Sequence, residues 1–303
     1  MFVLRRLLAL VPTLVAVSLI TFALMHQVPG GPWDEEKALP PAVVENLNRR
    51  YGLDLPYWRQ YVNFVARALQ GDLGVSFIRQ NQPVTDILLR GLPVTTTLAV
   101  LALSLSLAVG LSLGILASLR RNSWLDYLSV GFATLGASTP NFVVGILLVL
   151  LLAVGLKLVP TGGWGTPEQL LLPVLTLAAF PGAYIARITR ASMLDVIRQD
   201  YIRTARAKGL PERMVIMRHA LRNALIPVLT LAGPLAANLI TGSFIIETLY
   251  SIPGVGRLFV QSVFARDYGL IMGSTLFFAL VISLANLAVD VLYAVVDPRI
   301  RLE

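Results

Sequence analysis

Residues 7–25, LLALVPTLVAVSLITFALM, run for 19 positions without a charged side chain, and five further apolar stretches follow. A backbone that enters hydrocarbon has to satisfy its N–H and C=O groups internally, which leaves helix as the conformation open to a single apolar segment. About 20 such residues cross a bilayer. Hydropathy gives six candidate spans: Leu7–Met25, Val94–Leu119, Tyr127–Leu156, Leu170–Ile185, Leu225–Leu249 and Leu270–Val296. With 56% apolar and 14% charged residues, against about 25% charged in a typical soluble domain, the chain reads as an all-α integral membrane protein with six transmembrane helices.

The spans are not equivalent. The third is about 45 Å long at a helical rise of 1.5 Å per residue, too long for one straight crossing. Pro140 and the polar run GASTPN divide it, so a kink or a short interfacial helix before the span is expected. The fourth is short and holds Pro173 and Pro181, which persist in a span only where neighbouring helices satisfy the freed backbone groups. The first span follows MFVLRR and so resembles the basic and apolar regions of a signal peptide, but no small-residue cleavage site follows it. It is read as a retained span, the alternative being a twin-arginine export signal.

Orientation follows from the placement of Arg and Lys. With the N-terminus in the cytoplasm, the cytoplasmic segments hold fifteen of the 25 basic residues and seven of the 17 acids, so the whole net charge of +8 lies on that face. Both termini are therefore expected inside, the tail 298–303 included. Residues 28–92 form the one sizeable external segment. PPAVVENLNRRYGL and PYWRQYVNFVARALQG read as short amphipathic helices that open on proline, Gly71 closes the second, and QPVTDILLRGLP reads as an interfacial helix leading into the second span. A lobe this small barely buries a core alone, so it is expected to pack on the membrane domain or on a partner.

Between the fourth and fifth spans lies DYIRTARAKGLPERMVIMRHALRNALIP, residues 200–227. A helix from about Arg187 to Lys208 is expected to end at Gly209 in a left-handed cap. Pro211 would then open a second helix with Glu212 at its positive end. Anionic lipid would account for the basic residues, but lipid does not require the glycine–proline turn. A nucleic-acid helix–turn–helix sits in a small core of its own, which so short a connection does not suggest, and no nucleic-acid partner is expected.

Enzymatic constellations are absent from the sequence. There is no cysteine, the two histidines, His26 and His219, lack metal-ligand spacing, and no G-x-x-x-x-G-K-[ST] or G-x-S-x-G occurs. No catalytic residue, metal ligand or cofactor is therefore assigned to this chain. Polar groups within spans are candidates for the translocation path or for interhelical hydrogen bonds, the latter being the favoured use of Asn141, Asn238 and Asn286. Glu247 and Asp290, near span ends, are read as structural, with Asp290 able to reach the interface.

RTARAKGL at 203–210 and RHALRNALIP at 218–227 resemble the cytoplasmic loop of permease subunits from bacterial binding-protein-dependent ABC importers, most of all the B-type permease of oligopeptide and dipeptide importers. The likeness covers the whole chain: FVLRRLLALVPTL, GDLGVSF, ARITRASMLDVI, ETLYSIPGVGRLF, RDYGLIMG and DVLYAVVDPRIR agree with it. ALPPAVVENLNRRYGLD and VPTGGWGTPEQ look more like the oligopeptide branch.

The resemblance implies the type I importer permease architecture, divided as an N-terminal transmembrane helix (1–27), an extracytoplasmic lobe (28–92), a permease domain (93–297) with a coupling loop at about 192–224, and the tail (298–303). It implies that the loop corresponds to the "EAA" motif that docks on an ATPase subunit, its first three places taken by Arg203, Thr204 and Ala205, and its glycine by Gly209. Lys208, Leu210, Pro211 and Arg218 complete the expected coupling residues. Arg203 and Thr204 depart from the general consensus, as does the length from Gly209 to Pro227. The implied partners are a second homologous permease, two ATP-binding subunits that hold ATP and Mg, an extracytoplasmic peptide-binding protein and the bacterial cytoplasmic membrane. Dipeptides, oligosaccharides, nickel complexes or glutathione are the alternative cargoes; an intramembrane enzyme and a proton-driven secondary transporter are the alternatives of another class.

Overall fold

The structure, a computed structural model, describes residues 2–33, 39–79 and 82–296. It contains helices and no strand among them; the only β-type pairing is an isolated bridge between Val75 and Pro83. The helices are α1 (Phe2–Gln27), α2 (Pro41–Tyr51), α3 (Tyr57–Ala68), α4 (Val84–Leu119), α5 (Trp124–Ser138), α6 (Asn141–Leu148, continued by a π segment to Gly155), α7 (Pro167–Ile197) and α8 (Asp200–Ala207). There follow α9 (Glu212–Met214), a π segment (Val215–Ala220), α10 (Leu221–Ala224), α11 (Ile226–Gly242), α12 (Phe244–Leu249), α13 (Val255–Phe264) and α14 (Tyr268–Val296).

Four of these, α1, α4, α7 and α14, are each long and apolar enough to cross a membrane, and the number is six when each of two bent pairs is counted as one span. One pair is α5 with α6, broken at Thr139–Pro140 and turned through 109°, as Pro140 leads one to expect. The other joins Glu212–Ala224 to α11 at 51°. Three expectations need correcting. The segment before the second span is no separate interfacial helix: α4 is continuous over 36 residues, with Pro93 inside it, or roughly 54 Å. The fourth span is not short, for α7 runs 31 residues with both prolines buried inside, opened by a capping box between Thr166 and Gln169. Leu225–Leu249 is divided at Ser243 into α11 and α12.

The described chain forms two compact units. In the first (up to Thr95, with Pro253–Leu287), Val84, Ile87 and Leu88 of α4 pack with Val255 of α13 and Leu270 of α14. Asp267 organises this unit. Its buried carboxylate accepts the N–H of Leu270 at 3.1 Å, capping α14, the N–H of Phe77 at 3.0 Å and the hydroxyl of Ser76. Neither α2 nor α3 contains a buried residue, so the lobe has no core inside its own two helices.

The second unit (Thr96–Ile252, with residues from Ala288) is held by a seam of small residues. Ser106, Gly110 and Gly114 recur every fourth position on α4, facing Ala178, Gly182 and Ala186 at the same spacing on α7. Ser106 Oγ donates to the Ala178 carbonyl at 3.1 Å, and a Cβ on Gly114 would lie 2.6 Å from the Ala186 oxygen. Small-x-x-x-small spacing lets two helix backbones approach this closely in a membrane. Gly114→Val is therefore expected to cost about 1–3 kcal/mol or more through overpacking, read as a lowered melting temperature of the detergent-purified protein. Gly131→Ala on α5, where a Cβ meets nothing within 4 Å, is the control and should stabilise by up to about 1 kcal/mol. Equal melting temperatures for the two variants would dismiss the seam.

Candidate functional site

The basic segment 198–227 folds as a bracket. The expected helix from Arg187 to Lys208 does not exist as one element: Arg187 and Arg190 belong to α7, which ends at Ile197, and α8 starts afresh at Asp200 after an extended Gln199 (ψ 151). Helical geometry explains the break. At 100° per residue, Met193 and Ile202 would point to opposite sides of a continuous helix. The interruption turns Ile202 and Ala205 onto the same cluster as Met193, where Val215, Ala220 and Ala224 join them, all buried. Ile115 of α4 and Val196 and Ile197 of α7 pack against this cluster. The bracket thus has the small core that the sequence did not suggest, built onto the ends of two spans.

The turn itself is as expected. Gly209 has φ +74°, its N–H donates to the Arg206 carbonyl at 2.9 Å, and the N–H of Leu210 reaches back to the Ala205 carbonyl at 3.4 Å. This is the Schellman arrangement, completed by the apolar packing of Leu210 on the bracket core. Pro211 caps the second helix, its carbonyl accepting from Met214 and Val215. Across the turn, Arg206 clamps Glu212 with two hydrogen bonds of 2.6 and 3.1 Å. The guanidinium holds the Glu212 carboxyl below the usual range and is itself raised by it. Farther along, Asn223 Nδ2 donates to the Tyr201 hydroxyl at 2.8 Å, tying the second helix to α8.

Most of the expected coupling residues lie on the surface. Arg203, Thr204, Lys208, Gly209, Pro211 and Arg218 are exposed, whereas Ala205 is buried and Leu210 half-buried within the bracket. Met214 and Met217, flanked in sequence by Arg213 and Arg218, are 41% and 57% exposed. Exposed methionines among arginines suit a pliable, partly apolar protein receptor. The second helix passes through a π segment at Val215–Ala220, a form that concentrates at functional sites. The Arg206–Glu212 clamp and the Tyr201–Asn223 tie were missed in the sequence, although Glu212 six residues after Arg206 offered a signal.

The candidate path residues stand on three different helices. Asn141 is half-buried at the start of α6, and Asn238 and Asn286 are exposed on α11 and α14. Among the described residues no side-chain hydrogen bond is made by these three. Glu247 is fully buried in α12 and accepts a hydrogen bond from Ser243 Oγ at 2.7 Å. The side chain of Asp290, Asp297 and the tail 298–303, with Arg299 and Arg301, lie outside what is described.

Two constellations escaped sequence reading. Asp126 of α5, 3% exposed, receives both Nε and Nη2 of Arg190 of α7, at 2.5 and 2.8 Å, and the N–H of Asn122 at 3.0 Å. The hydroxyl of buried Tyr250, which follows α12, donates to the Gly145 carbonyl at 3.1 Å and lies 2.8 Å from Thr176 Oγ1 on α7. No group of three or more His, Cys, Asp or Glu among the described residues is placed to hold a metal ion.

Comparison with known proteins gives a uniform result. Residues 110–302 match the family described as binding-protein-dependent transport system inner membrane component, and residues 1–99 match the N-terminal domain of such components. A dipeptide transport system permease protein of Bacillus subtilis is 44% identical over 301 residues, covering 99% of this chain and 98% of its own. An oligopeptide transport system permease protein of Salmonella typhimurium is 44% identical over 302 residues, covering 99% of both chains. Among solved structures, a methionine ABC transporter in an inward-facing conformation matches 70% of this chain and 96% of its own with a TM-score of 0.58 at 19% identity. An amino acid ABC transporter matches with a TM-score of 0.56, also at 19% identity; at that identity the likeness speaks for the fold alone.

Proposed function

The chain belongs to the family of binding-protein-dependent transport system inner membrane components, and from that premise we propose that it is a permease subunit importing peptides, with its bracket as the element that couples transport to ATP hydrolysis on other chains. An integral membrane component of an ABC importer needs a contact through which a nucleotide-driven motion reaches its spans. The observation that carries the reading is the bracket: a rigid, self-cored element with an exposed face of arginines and methionines, packed directly on the ends of α4 and α7. A displacement of that face is transmitted as rigid-body motion because close-packed cores do not deform continuously.

In this reading the bracket faces the cytoplasm with both termini, as the one-sided charge supports. The chain pairs with a second, homologous permease. Two further subunits hold ATP and Mg and perform the hydrolysis, since this chain has no phosphate-binding loop. A binding protein delivers the cargo from the other side. The named relatives carry dipeptide and oligopeptide importers at equal identity, so the cargo class proposed is peptides; the oligopeptide branch rests on the external segments alone.

One purification tests this. A tag on this chain, extracted in mild detergent, should bring down an ATP-hydrolysing chain and a second permease, and mass spectrometry of the binding protein purified in its native state should find bound peptides. Saturable ATP binding by this chain alone would refute the division of labour, and a sugar or metal chelate in the binding protein would refute the cargo.

A further inference from the structure

The lobe helix α3 does not stand beyond the end of α1 but runs down its side. Tyr57 packs on His26 with ring centroids 4.7 Å apart, and Tyr61 packs on Phe22 at 5.5 Å. The Tyr61 hydroxyl lies 3.0 Å from Ser18 Oγ and donates to the Val15 carbonyl at 3.3 Å. Successive turns of α3 therefore meet successive turns of α1 in reverse order. Ser18 is at the middle of the span Leu8–Gln27, about 13 Å in from Gln27, close to half the roughly 30 Å hydrocarbon core. The later part of α3 is thus beside the span, which accounts for Val62 exposed on its outer face and for Leu69, 85% exposed, just past its end.

Two cavities lie along this groove, sharing Phe64 and Leu73 as a common wall. The deeper one, 340 Å³, is apolar and bounded by Val11 and Val15 of α1, Val65 and Leu69, and Phe277 and Leu280 of α14. The outer one, 610 Å³, opens near Phe22, Met25 and Tyr268. Its wall carries Arg49, Arg50 and Arg67 and no acid. Arg49 also pairs with Glu45 at 2.6 Å, while Arg50 and Arg67 form no ion pair with an acid among the described residues.

We propose that the two cavities together are a binding site for an anionic phospholipid, its phosphate held by Arg49, Arg50 and Arg67 and an acyl chain lying in the apolar chamber between α1, α3 and α14. The chemistry is complementary at both ends. Guanidinium forks match phosphate oxygens bidentately. A chamber walled by span residues at mid-bilayer depth faces hydrocarbon, so an acyl chain is its natural occupant. A water-soluble anion would leave that chamber empty, and a neutral lipid would leave the guanidinium groups of Arg50 and Arg67 without an acidic partner. The inference rests on α1 being a membrane span and is independent of the cargo.

The test uses the intact transporter in nanodiscs of equal phosphatidylglycerol and phosphatidylcholine, with retained lipid read by native mass spectrometry. The wild type should retain phosphatidylglycerol over phosphatidylcholine by at least about tenfold, since each basic residue near an anionic surface contributes roughly a fivefold factor. Arg49→Gln/Arg50→Gln/Arg67→Gln should remove the preference. Ala68→Trp, which blocks the chamber without altering charge, should remove retention of both lipids. Because the chain has no cysteine, Leu69→Cys reports depth directly and should resist a membrane-impermeant maleimide. Unchanged phosphatidylglycerol retention in both cavity variants, or labelling of Leu69→Cys as fast as an aqueous site, overturns the proposal. So does recovery of a soluble anion in place of lipid.

Discussion

Replacing Gly209 with valine is expected to uncouple ATP hydrolysis from cargo uptake while leaving the spans inserted. At φ +74° an L-residue is strained by about 1–2 kcal/mol, and a β-branched side chain by more. A Cβ at Gly209 meets nothing within 4 Å, so the penalty is backbone strain alone. Relief of that strain opens the Schellman turn, withdraws Leu210 from the bracket core and loosens the Arg206–Glu212 clamp beside it. The second helix then no longer presents Met214 and Met217 in register with α8. A series separates strain from bulk: Gly209→Asn should be mild because asparagine tolerates the left-handed region, Gly209→Ala intermediate and Gly209→Val severe.

Lys208→Ala removes a charge from an exposed position and keeps the turn, so it should cost far less. If the bracket served only to bind anionic lipid, that order would reverse. Cargo uptake and cargo-stimulated ATPase in reconstituted vesicles decide between the two. Normal coupling in Gly209→Val would end the assignment of the bracket. The assay belongs near neutral pH. Glu212, its carboxyl lowered by Arg206, contributes to the clamp fully above the ordinary carboxylate range, and that contribution is lost only as pH falls through the lowered value.

Arg190→Ala should be the most destabilising single change in the second unit. It leaves the buried carboxylate of Asp126 with the Asn122 N–H as its remaining hydrogen-bond donor, and breaking such a pair from one side costs up to about 3–5 kcal/mol. Asp126→Leu/Arg190→Met, which removes both charges and keeps the volume, should recover most of that loss, since a packed apolar pair often equals a buried ion pair. The consequence reaches the bracket. Arg190 lies seven residues before the end of α7, and the pair fixes that end on α5, from which α8 departs. Thermal melting of the purified protein measures the first effect. Arg190→Ala melting within a degree or two of wild type, or a double variant no better than the single, would sink the argument.

Much of this chain is legible without a structure because the relevant physics is local. An apolar run at bilayer length has to be helix wherever it sits, and Pro140 has to interrupt one. Gly209 followed by Pro211 has to end one helix and begin another, since the left-handed cap and the missing N–H act within two residues of themselves. Arg203, Lys208 and Arg218 are exposed, as a surface written in one continuous segment leads one to expect.

What the tertiary structure decided lies between segments distant in sequence. Nothing near Arg198 announces that α7 must stop there; the stop follows from Met193 and Ile202 having to share one core with Val215 and Ala224. Asp126 and Arg190 are 64 residues apart, and only the packing of α5 on α7 makes them a pair around a buried carboxylate. Pro173 and Pro181 call for neighbouring helices, yet how far the helix that buries them extends is decided by packing. Asp267 reads as one more acid until Ser76 and Phe77 arrive from 190 residues away. The same is true of α3, whose amphipathic pattern says that it has two faces but not that one of them lies against the middle of a span. Local sequence sets the conformation each segment prefers, whereas partnership between segments depends on which faces are left to bury once all the helices are present, and that is a property of the whole chain.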